Sequence, residues 1–189
     1  MENYDVLKDV SERTGGDIYL GVVGPVRTGK STFIKRFMEE LVLPNIEDIH
    51  ERERAVDEMP QSGSGRTVMT AEPKFIPAEA VNIQVDDGIE MRVRLVDCVG
   101  YAVDGARGFD DEDGPRMVDT PWFEEPVSFA VAAETGTEKV ITEHSTIGVV
   151  VLTDGTFGDI PLEAYNPAAE RVIEELQELG KPFVIVVNS

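Results

Sequence analysis

The run Ile18-Tyr-Leu-Gly-Val-Val-Gly24-Pro25-Val26-Arg27-Thr28-Gly29-Lys30-Ser31-Thr32 constrains this chain more than any other stretch. A nearly continuous apolar strand enters Gly-x4-Gly-Lys-Ser, and Phe33, Ile34 and Phe37 then give the following segment a helical apolar stripe. A strand, a glycine-rich turn and a helix in that order make a phosphate-binding loop. The glycines let backbone N–H groups converge on phosphate oxygens, and the helix N-terminus adds partial positive charge. Lys30 is expected to neutralise the β and γ phosphates and the Ser31 hydroxyl to ligate Mg²⁺, with Gly24 to Thr32 lining the nucleotide. The segment predicts a bound nucleoside triphosphate.

A second motif completes the site. Asp97-Cys-Val-Gly100 closes the apolar run Val93-Arg-Leu-Val96, which puts Asp97 at a strand's carboxyl end, able to hold Mg²⁺ directly or through water. The Gly100 N–H is expected to approach a γ-phosphate. Between the motifs, Thr67-Val-Met-Thr70 lies in a polar, proline-punctuated stretch. Thr70 is read as the switch threonine, giving its hydroxyl to Mg²⁺ and its carbonyl to the attacking water, with Thr67 as the alternative because spacing does not separate them.

The order of apolar runs predicts an α/β fold: a mostly parallel sheet with helices on both faces and one antiparallel edge strand. Val81–Val85 and Met91–Cys98, split by Asp-Asp-Gly, read as a hairpin. Residues 44–80 read as loop with one exposed helix, 100–126 as an acidic solvated loop, 127–143 as a helix, 148–153 as a strand, 167–179 as a helix and 182–187 as a last strand. Residues 1–17 read as an N-terminal helical extension, and 18–189 as the nucleotide-binding domain, expected to continue downstream.

A net charge of −20 argues against nonspecific nucleic-acid binding and a polybasic grip on anionic lipid. The single cysteine, Cys98, excludes an internal disulfide, and the N-terminal residues lack the basic and apolar regions of a leader, so a cytoplasmic protein without direct membrane insertion is expected.

Together the loop, switch threonine, Asp-x-x-Gly and terminal Val-Val-Asn188 strand resemble the translation-factor-related P-loop proteins, a class that includes Ras-like and dynamin-like GTPases and forms a three-layer sandwich. More narrowly, Glu12-Arg-Thr-Gly-Gly-Asp17, Arg27-Thr-Gly-Lys-Ser-Thr-Phe-Ile34, Thr70-Ala-Glu-Pro-Lys-Phe75, Arg94-Leu-Val-Asp-Cys-Val-Gly-Tyr101, Gly114-Pro-Arg116 and Glu143-His-Ser-Thr-Ile-Gly-Val149 are similar to the N-terminal domain of the stage IV sporulation protein A family. That resemblance implies an ATPase whose hydrolysis drives assembly of a static homopolymer beneath the bacterial spore coat, on the mother-cell side of the forespore. It also implies, as partners met mainly through downstream regions, a small amphipathic membrane-anchoring peptide and spore coat proteins.

Two departures from small GTPases bear on mechanism. A guanine-reading Asn-Lys-x-Asp is not present at Asn188-Ser189, which weakens guanine selectivity, and the resemblance tips the choice to ATP; a GTP switch recruiting effectors and a vestigial nucleotide site are the competing readings. Gly100 is followed by Tyr101 rather than a water-orienting glutamine. Arg27, inside the loop, either stabilises leaving-group charge as an arginine finger in cis or points to solvent or an acid.

Overall fold

The computed structural model describes residues 16–60, 71–85, 89–156 and 158–189. The expected N-terminal helix and both candidate switch threonines lie outside them. Strand β1 (Asp17–Val23) runs into the phosphate loop and then helix α1 (Lys30–Phe37), which continues through a π-turn (Met38–Val42) and a short 3₁₀ turn containing Pro44. Ile34, Met38 and Val42, one turn apart, have no exposed surface. Helix α2 (Ile49–Glu58) is the expected exposed helix. Only Ala55 is buried, and Asp48 caps its start by accepting from the His50 and Glu51 N–H groups.

Strands β2 (Lys74–Val85) and β3 (Ile89–Asp97) pair antiparallel, as the turn signal predicts. β2 begins well before the expected Val81. Its register shifts between Ile76 and Val81, around Pro77, and it sits at the sheet edge, where a missing N–H need not break a ladder. Two short ladders follow inside the acidic stretch, β4 (Asp110–Asp111) with β5 (Gly114–Pro115) and β6 (Met117–Val118) with β7 (Val127–Ser128). This segment is therefore paired in part rather than simply a solvated loop.

Ser128 caps helix α3 (Phe129–Lys139), which a π-turn extends to His144. Strand β8 (Ile147–Thr153), helix α4 (Leu162–Glu178) and strand β9 (Phe183–Asn188) complete the chain. α4 starts five residues before the expected Pro167. Its apolar stripe runs back through Ala168 to the buried Tyr165, and Pro167 lies on the exposed side, where the carbonyl it leaves unpaired meets water.

The main sheet has the order β2-β3-β1-β8-β9, parallel throughout except for the β2–β3 pair. Alternating residues feed two cores. Val22, Leu95, Val149 and Val151 face α1, while Val23, Val96 and Val150 face α3 and α4, where Ile141, Val172 and Leu176 are buried. The result is the expected α/β sandwich of three layers. At one edge, β9 presents Val184, Ile185 and Val187 about half exposed.

Candidate nucleotide site

The site forms where β1 and β3 end side by side in parallel register, with Val22 opposite Asp97. The loop from Gly24 and the loop after Asp97 are laced together. The Tyr101 N–H donates to the Gly24 carbonyl at 3.2 Å, and the Val26 N–H to the Tyr101 carbonyl at 2.9 Å. Gly29 takes a left-handed φ of 99° immediately before α1, so the helix opens with its N–H groups facing the loop.

Lys30 lies under this lacing and is only 5% exposed. Its ammonium donates to the Pro25 carbonyl at 2.6 Å, and burial lowers its pKa, opposed by the charge on Asp97. Thr28 is fully buried and donates to the same carbonyl at 3.1 Å. Across the site, burial raises the Asp97 carboxyl to about 6 even though Lys30 pulls it down. Its Oδ1 is buried and has no hydrogen-bond partner among the described residues. A buried acceptor of that kind beside a cationic phosphate loop fits a divalent cation held with the Ser31 hydroxyl, which is partly exposed at the mouth with Thr32 open beside it. Thr70, the other expected metal ligand, lies outside the described residues, as does Thr67.

Gly100 stands where expected, packed on the loop: a Cβ there would lie 2.4 Å from the Gly24 carbonyl and 2.6 Å from the Lys30 ammonium. Its N–H, expected to face phosphate, instead donates to the Thr137 hydroxyl of α3 at 3.1 Å. Nothing in the sequence marks Thr137, a threonine in mid-helix, as part of this site. Tyr101 is a fixed part of the core. Its ring is 3% exposed, its hydroxyl donates to Glu175 at 2.5 Å, and burial raises its pKa.

Asn188 reaches the site from β9, and its side-chain amide donates to the Thr28 carbonyl at 3.1 Å. It braces the phosphate loop, and so closely that a Cβ on Gly29 would fall 2.3 Å from the amide nitrogen. Arg27 is exposed with φ 60°, and its guanidinium donates to the Arg107 carbonyl at 3.4 Å. With Asp159, Ile160 and Tyr165 it lines a cavity of about 290 Å³ beside the loop. To act on a phosphate it must leave that carbonyl.

The family described as stage IV sporulation protein A, ATPase domain, matches residues 1–189. Relatives called stage IV sporulation protein A are 64% identical in Bacillus anthracis and 65% in Bacillus subtilis (strain 168), each over the whole chain, and 56% in Clostridioides difficile (strain 630) over 99% of it. The chain spans 38% of the length of each relative. On the strength of the full-length family match and these identities, the chain belongs to the stage IV sporulation protein A family and corresponds to its ATPase domain.

Proposed function

We propose that this domain binds ATP with Mg²⁺ in the Gly24–Thr32 loop and hydrolyses it. In the longer protein, turnover would drive self-assembly into the static polymer that forms the base of the spore coat. The observation that carries the site reading is a buried Lys30 ammonium at the start of α1 whose charge acts on Asp97 at the end of β3, a carboxylate with a buried oxygen that has no hydrogen-bond partner among the described residues. Burying two such charges is costly, and their placement suits a triphosphate and its cation.

In this reading Lys30 exchanges its bond to the Pro25 carbonyl for β and γ phosphate oxygens, while loop N–H groups orient the chain of phosphates. Asp97, Ser31 and Thr70 would hold the metal, which would supply positive charge to offset that of the phosphates. The Thr70 carbonyl orients the water. Tyr101 cannot take the place of a water-orienting glutamine, because its hydroxyl is already committed to Glu175 inside the core. A slow basal rate that rises on self-association follows, since the Thr70 carbonyl alone stands in for that glutamine and any further orienting group must come from other backbone groups, another residue or a neighbouring copy. The amphipathic membrane-anchoring peptide and the coat proteins belong to this proposal as partners of the longer protein.

Equilibrium titration tests it. The chain should bind ATP in preference to GTP, with Mg²⁺ dependence, and Lys30→Ala should weaken ATP binding by at least about tenfold while circular dichroism stays unchanged. Undiminished affinity in Lys30→Ala overturns the site, and preference for GTP overturns the choice of base.

A further inference from the structure

The Gly100 N–H has a partner that the nucleotide site does not explain. Thr137 is fully buried. Its hydroxyl donates to the Ala133 carbonyl at 2.8 Å, one turn earlier in α3, and so presents a lone pair to the Gly100 N–H at 3.1 Å. One backbone donor cannot serve both this hydroxyl and a γ-phosphate at full strength. The same turn of α3 meets the other loop of the site, because a Cβ on Gly136 would lie 2.4 Å from the Ala71 carbonyl oxygen. Ala71 and Ala132 are buried in one apolar cluster against which Val99 packs, so α3 forms a shared floor under Ala71 and the Asp97–Gly100 loop.

We propose that Thr137 is a positioning residue that holds the Gly100 N–H while no γ-phosphate is present and gives it up when one binds, so that α3 responds to the difference between triphosphate and diphosphate. This rests on the nucleotide-site reading given above. It assigns α3 a role in sensing that neither the phosphate loop nor the Asp-x-x-Gly motif supplies. Removing the hydroxyl takes away the oxygen acceptor of this buried N–H and leaves only the weaker Cys98 sulfur near it until a γ-phosphate arrives, which should favour triphosphate selectively.

The test compares ATP-analogue and ADP affinities, using the non-hydrolysable β,γ-imido analogue, in the wild-type chain, Thr137→Val and Thr137→Ser. Thr137→Val should raise the ratio of analogue to ADP affinity by roughly three- to tenfold, and Thr137→Ser, which keeps the hydroxyl, should leave it at the wild-type value. A ratio unchanged in Thr137→Val, or both affinities falling together, overturns the proposal. Failure of the wild-type chain to bind either nucleotide overturns the site reading instead. Should Thr137→Val not fold, the wild-type chain labelled with ¹⁵N-glycine decides: the Gly100 amide resonance should shift with the imido analogue and not with ADP, and an equal shift with both counts against the role of Thr137.

Discussion

Asp97 is ionised at neutral pH in a place where burial disfavours its charge. Its carboxyl sits at about 6 in the folded chain against 3.8 for the free group, a figure that already includes the attraction of Lys30. Between those values the folded chain holds more protons than the unfolded one, so stability falls as pH rises through the window and stays lower above it. Asp97→Asn should therefore stabilise the nucleotide-free chain at pH 7.5 by about 1–3 kcal/mol, with the gain vanishing below the unfolded value. Thermal unfolding at the two pH values checks it; a lower melting temperature at pH 7.5 would show that the charge supports the fold. Turnover should fall in the same variant, because the carboxylate whose charge burial disfavours is the one assigned to the metal. The strand-end position of Asp97 and the loop context of Lys30 were readable from sequence, since both depend on local order: apolar run, then motif. The partners of Gly100 and Asn188 were not. Thr137 and Thr28 are brought to them by packing across the sandwich, and no spacing in the chain encodes that.

At the element level, Arg171 adds a polar link between helices α3 and α4. Arg171 donates to Glu175 at 2.8 Å and to Glu134 of α3, and its guanidinium lies 4.1 Å from the centre of the Tyr101 ring. Loss of this residue removes a cation–π contact, two partly exposed ion pairs and the cover of a buried ring. Arg171→Met should cost about 1–2 kcal/mol in denaturant unfolding, with Tyr101→Phe costing less because only the hydroxyl bond is lost. Equal and negligible costs would mean that the cluster is ornamental. The two elements whose starts the sequence misplaced teach the same physical point. In β2 an edge position tolerated Pro77, and in α4 burial of Tyr165 extended the helix past Pro167; in each case tertiary position outweighed a local breaker.

At the scale of the whole molecule, the chain carries a net charge of −20 and has a sheet whose last strand is apolar and about half exposed. The two features oppose each other. Mutual repulsion keeps copies apart over roughly the Debye length, about 10 Å at 0.1 M salt and about 3 Å at 1 M, whereas attraction at a strand edge acts only on contact. For this 189-residue chain, repulsion at a distance is set against adhesion on contact along β9. Light scattering should show dispersed particles at low ionic strength and growing association as sodium chloride is added, with Ile185→Lys suppressing the growth. Association that weakens with salt would mean that charge pairing, and not the rim of β9, brings copies together.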